Sequence, residues 1–143
     1  MRKATWLACA LAFLASCAST VPPSFRVFAP VDLSQPPSVF VSASHLREPI
    51  ERSLGRAGLP VARTAREASL VLIATVGNVR SSTEDCGPVR NVKYELRQFG
   101  IPLATGRARG PVGSCATNVL DQMSRKLADV VLRPPSTTSP QGE

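Results

Sequence analysis

Few residues in this chain have the type and spacing needed for chemistry. Its 143 residues hold one histidine, His45, and four cysteines, Cys9, Cys17, Cys86 and Cys115. A lone histidine can serve as base or ligand only with partners, and too few ligand-type residues surround His45 for a zinc site. The serines form neither a G-x-S-x-G elbow nor an S-x-x-K pair. Glu84 and Asp85 are adjacent, so on an extended chain they point apart instead of forming a catalytic carboxylate pair. They also lack the ligand series of a calcium loop. Gly106, Gly110 and Gly113 are spaced without the Gly-Lys-Ser/Thr ending of a phosphate loop. The expectation is no enzyme, no metal and no cofactor.

The basic residues are more informative. Lysine and arginine total 17 against 10 acidic residues, a formal net charge of +7. Within 89–99, Val92, Tyr94 and Leu96 alternate with Lys93, Glu95 and Arg97, the mark of a strand with one wet face. Phe99-Gly100 begins a tight reversal, and 101–109 returns as its partner. Arg90, Lys93, Arg97, Arg107 and Arg109 are therefore the candidate binding residues, since guanidinium groups pair well with carboxylates and phosphates. The cations form no basic–aromatic motif, so nucleic acid is not an expected partner. The polar, turn-prone run 78–88 is the loop best placed to carry function.

The N-terminus supplies an address. Arg2 and Lys3 precede an apolar run of about nine residues, which is too short to cross a bilayer, where about 20 are needed. Leu14-Ala15-Ser16-Cys17 then resembles the lipobox of bacterial lipoprotein precursors. That resemblance implies cleavage after Ser16 and a diacylglycerol on the sulfur of Cys17, making membrane lipid the first partner. A single acyl chain binds membranes only marginally, which fits the several chains such proteins carry. Ala18, in place of the aspartate associated with inner-membrane retention, implies the outer membrane, facing the periplasm. With the leader and its Cys9 gone and Cys17 acylated, Cys86 and Cys115 are left to pair in an oxidising compartment. Closing a loop of about 30 residues contributes roughly 3.6 kcal/mol in the chain-entropy picture.

These readings divide the chain into a signal peptide (1–16), an acylated cysteine with a flexible Pro- and Ser-rich tether (17–37) in which 25–28 has the character of a short strand, one domain (38–133) and a disordered tail (134–143). Loss of Arg2 and Lys3 lowers the formal charge to about +5. Ser38–Ser42 is a β-rich run. A helix is expected from near His45, capped by Ser44, with Leu46, Ile50, Leu54 and Ala57 on one face and Gly58 ending it. The segment 59–63 is extended. Ser69–Val76 is apolar throughout and reads as a central strand buried on both faces. Leu120, Met123, Leu127 and Val130 mark a closing helix over 115–132, capped by Ser114. The order β-α-β-β-β-β-α predicts an α+β domain: a mostly antiparallel sheet of four or five strands with two helices packed on one face.

Val39–Val41, the Leu46–Ala57 helix, Gly58 and Ser69–Val76 together resemble small α/β lipoprotein domains of bacterial envelopes. Penicillin-binding-protein activators and the amino-terminal domain of the Tol system's propeller protein are examples. The resemblance implies a non-catalytic adaptor or accessory subunit of an envelope protein complex. The alternative is a module whose arginines bind anionic glycolipid or lipid head groups.

Overall fold

The computed structural model describes residues 20–83, 87–113, 115 and 118–133. The expected signal peptide, the acylation site Cys17 and the tail 134–143 lie outside the described residues. The elements in chain order are β1 (Val21–Val27), β2 (Val39–Ala43), α1 (Arg47–Arg56), β3 (Leu70–Thr83), β4 (Gly87–Gln98), β5 (Ile101–Pro111) and α2 (Val119–Leu132). One five-stranded sheet runs in the order β1-β5-β4-β3-β2. All neighbours are antiparallel except β2 and β3, which pair parallel from Val39↔Leu70 to Ala43↔Ala74. That parallel pair follows from connectivity: α1 is the crossover that parallel neighbours need, whereas β3, β4 and β5 follow one another as hairpins. Both helices pack on the same face, so the architecture is the α+β arrangement read from sequence.

Period-two patterning sets which residues face the helices. Val39 and Val41, Leu70 and Leu72, Val92, Tyr94 and Leu96, and Ala104 and Ala108 are buried there against Ile50, Leu54, Leu120, Met123 and Leu127. The β4–β5 turn has positive φ at both central residues, Phe99 (53°) and Gly100 (75°). A two-residue turn of this kind matches the twist of the strands it joins.

The structure departs from expectation at several points. The tether's short strand, expected at 25–28, is the longer strand β1 over Val21–Val27, and it joins the sheet at its edge. An edge is where prolines are tolerated, because the missing N–H faces away from the ladder. The register with β5 shifts between Val21 and Ser24, across Pro22-Pro23. Phe25 holds this strand down: its ring lies over Gly106, where an added Cβ would overlap the ring. The segment expected to be extended at 59–63 makes only one parallel bridge, Val39↔Val61. Residues 78–83, expected in a loop, continue β3 with a register shift between Asn78 and Ser82. The run 69–76 is an interior strand, paired with β4 and β2, but it is buried on one face only: Val71 and Ile73 are half-buried because no helix covers their side.

The helix ends also differ. The first helix starts at Arg47 with Leu46 at its N-cap in a left-handed conformation (φ 58°) and no side-chain cap, so Ser44 does not cap it. Pro49 still falls in the first turn, where its missing N–H costs nothing. The last helix starts at Val119. Its cap is Asn118, whose Oδ1 accepts from the Leu120 N–H (2.7 Å) and the Asp121 N–H (3.4 Å).

Two tests follow from this packing. Gly106→Ala should destabilise the domain by about 1–3 kcal/mol through overpacking, measured by denaturant unfolding. In a Phe25→Ala background most of that penalty should vanish. Tyr94 is the only tyrosine in the chain. Its burial pushes the phenol far above its ordinary 10.0, with the Ser124 hydroxyl opposing and Asp121 adding to the shift. The protonated phenol therefore contributes stability that is complete below pH 10 and is lost as pH rises towards the folded-state value. Phenolate absorbance should be absent at pH 10 and should emerge only with alkaline unfolding.

Candidate functional site

The two helices leave the other face of the sheet uncovered, and strand register shows what stands on it. Paired residues in adjacent strands share a face. One row runs Arg26–Thr105–Glu95–Ile73–Ser42 from β1 to β2, and the next runs Ser24–Arg107–Lys93–Thr75. Beyond these, Arg109 lies beside Asn91, and Arg97 beside Val71 and Phe40. The face is thus cationic towards β1, β5 and β4 and apolar towards β2 and β3.

Its electrostatics are one-sided. Among the described residues of these rows, the cations are Arg26, Lys93, Arg97, Arg107 and Arg109, and the only acid is Glu95. Glu95 is already committed to Arg97, which donates from Nη2 at 3.1 Å and from Nε at 3.2 Å. The pair is substantially exposed, so it adds little stability in water and mainly fixes the Arg97 fork. Arg26 lies over the Phe28 ring at 5.5 Å, and the Arg109 Nε is buried without a hydrogen-bond partner. Guanidinium groups set side by side on a rigid sheet can hold carboxylates, phosphates or sulfates.

Four of the candidate binding residues, Lys93, Arg97, Arg107 and Arg109, are brought together here. Arg90 is not with them. It pairs with Gly110, two residues along from the Val92↔Ala108 pair, which places it on the helix-bearing side. Its even offset from Val92 and Tyr94 is the signal that separates it from Lys93. Sequence reasoning also passed over Arg26, because Pro22-Pro23 marked its neighbourhood as tether. The alternation Ser24, Arg26 against Phe25, Val27 was the pattern that could have found it.

A second concavity, a groove of about 590 Å³, lies between the two helices and is lined by Arg52, Ser53, Arg56, Asn118 and Asp121 among others. Two of its charges are paired with each other: the Arg56 Nη2 donates to the Asp121 Oδ1 at 2.7 Å. Burial would raise the Asp121 carboxyl, but hydrogen bonds from Arg56 and Ser53 and the charges of Arg56 and Arg125 outweigh it and hold it below the ordinary carboxylate range. Cys115 borders this groove and is disulfide-bonded. Cys86, its expected partner, lies outside the described residues, as do Glu84 and Asp85. Nearby, Gly87 and Gly113 approach closely, since a Cβ on Gly87 would meet the Gly113 Cα at 3.4 Å. His45 is exposed in the bend before α1. Among the described residues no three His, Cys, Asp or Glu side chains cluster as a metal site. No described helix is long and apolar enough to cross a membrane.

No protein-family model and no curated protein matches the chain at a significant level. Among solved structures, a leucine-to-methionine variant of the PelC dodecamer from Paraburkholderia phytofirmans superposes with a TM-score of 0.50 at 15% identity, over 75% of this chain and 98% of that one. This likeness shows a shared fold. A second PelC dodecamer structure gives 0.47 at 20% identity, over 78% and 96% of the two chains. A minor lipoprotein from Acinetobacter baumannii gives 0.38 at 10% identity, over 66% and 89%.

Proposed function

We propose that this chain is a non-catalytic lipoprotein, anchored through an acylated Cys17 at the outer membrane and facing the periplasm, whose domain serves as an accessory subunit or adaptor of an envelope protein complex. The observation that carries the reading is the uncovered sheet face, where, among the described residues, Lys93, Arg97, Arg107, Arg109 and Arg26 stand against the single acid Glu95. A face fixed by five paired strands is rigid, and rigid complementary charge favours fast and selective docking of an acidic partner surface. The address is supported by the lipobox Leu14-Ala15-Ser16-Cys17. The proposed Cys86–Cys115 bridge is supported by the bonded state of Cys115 and by the close approach of Gly87, next to Cys86, to Gly113. PelC is described as a dodecamer, so another copy of this chain is among the partners to be sought.

The same arginines favour a second reading, in which the face holds the anionic groups of an envelope glycolipid or lipid. Salt separates the two readings poorly, because both are electrostatic, but the captured species does not. A photoreactive residue at Lys93 or Arg107, cross-linked in cells, should yield one discrete protein adduct if the adaptor reading is right. Lipid or glycan adducts alone would replace it with the second reading. Cys17→Ser should move the protein out of the membrane fraction; retention there would refute the acyl anchor.

A further inference from the structure

Exposed large apolar side chains are not scattered evenly over this domain. Phe99 (81% exposed) and Ile101 (60%) form the tip of the β4–β5 hairpin, and Phe28 (54%) and Leu33 (44%) are also exposed. Strand order brings these to one pole. Val27 pairs with Ala104, and the Phe28 N–H donates to the Leu103 carbonyl at 2.7 Å, two residues from Ile101. The chain then passes Gln98, whose side chain accepts from the Asp32 N–H (2.8 Å) and donates to the Asp32 carbonyl (3.0 Å). The buried Gln98 thus ties the segment carrying Leu33 to the base of the hairpin tip.

The tip itself is held in a costly conformation. Phe99 adopts φ 53°, a region that bulky residues rarely enter, while its ring reaches almost fully into water. Glycine or asparagine would suit this turn position better and would expose less apolar surface. Neither core packing nor turn geometry accounts for an aromatic residue there. The charges around the pole balance: Arg26, stacked on Phe28, and Arg97 stand against Asp32 and Glu95. Glu95 is paired with Arg97, and the exposed Asp32 carboxylate accepts from the Ser34 N–H at 2.9 Å, a neutral donor that leaves its charge in place.

Where the chain enters the domain decides the occupant. The described residues begin at Thr20, immediately before β1, so at most about 14 Å of chain separates Cys17 from Val21. Strand β1 then spans roughly 20 Å to the apolar pole. Its edge carries further exposed apolar residues, Val21 (49%) and Val27 (40%). A domain on so short a leash can lie along its own membrane with this edge down and the tip in contact. We infer that the β1 edge and the β4–β5 tip rest on the lipid bilayer that holds the anchor, with Phe99 and Ile101 seated at the headgroup–acyl boundary and Arg26 at the lipid phosphates. An exposed apolar wedge with an arginine beside it is chemistry suited to the headgroup boundary of a lipid surface. This inference rests on the acyl anchor proposed above; it takes Arg26 for the lipid and leaves Lys93, Arg97, Arg107 and Arg109 of the cationic face open to a partner.

The test uses the full chain, matured in cells and reconstituted into vesicles of phosphatidylethanolamine and phosphatidylglycerol. Trp6, in the leader, is the only tryptophan, so Phe99→Trp gives the mature protein a single reporter, and Ile101→Trp is an independent second one. Both should emit at shorter wavelength than in detergent-free buffer and should be quenched by lipids brominated along their acyl chains. Thr75→Trp, on the open face three strands from β1, should show neither the shift nor the quenching. Intact mass of the same samples reports acylation separately. Acylated protein in which both tip reporters emit unshifted and unquenched overturns the membrane contact while the anchor stands, and leaves the tip to a protein partner. Absence of the acyl mass overturns the anchor itself.

Discussion

Two helices can cover only one side of a five-stranded sheet, and that limit shapes every other feature of this domain. The stripe Leu120, Met123 and Leu127 on α2 and the pair Ile50 and Leu54 on α1 close one face into a dry core. Nothing is left in the described chain to cover the other. That face must therefore be made soluble from within the strands, by alternating arginine and lysine with apolar residues. The cationic surface is thus first a folding requirement. Its sign and its rigidity are what make it usable as a docking surface.

The same limit explains the position of β1. The sheet would end at β5, whose Gly106 has no side chain to shield the core beside it. Phe25 supplies that missing surface from the neighbouring strand, much as aromatic residues elsewhere compensate for glycines in sheets. In doing so it converts a stretch that composition marks as linker into an edge strand. Where the sheet ends on this side thus depends on one ring packed over one glycine.

Much of this was legible from residue patterns. The helical stripes, the β4–β5 hairpin with its Phe99-Gly100 turn, the α+β layout and the cationic character of the hairpin all follow from local periodicity, which survives translation into three dimensions. What was not legible depends on distant partners. Pro22-Pro23 looks like a linker unless one knows that a free sheet edge awaits it. Asn118 and Ser114 are equally good capping residues, and only the placement of Val119 under Gly110 decides for Asn118. The parallel pairing of β2 with β3 depends on how α1 crosses, which periodicity does not encode. Arg90 was grouped with its neighbours by charge, although strand parity sets it apart.

The borders of the sheet carry a further consequence. On the β1 side, Pro22 and Pro23 offer no N–H to an incoming strand, and the register is broken beside them. On the β2 side, the Val39 N–H donates to the Pro60 carbonyl (2.8 Å) and its carbonyl accepts from the Ala62 N–H (2.9 Å), so that border is already occupied where β2 begins. Both borders therefore make poor templates for chain-to-chain strand addition, the route by which sheet proteins aggregate. Proteins confined to a surface meet one another far more often than in dilution. A sheet with blunted borders can be crowded there at high density and still keep its copies folded and distinct.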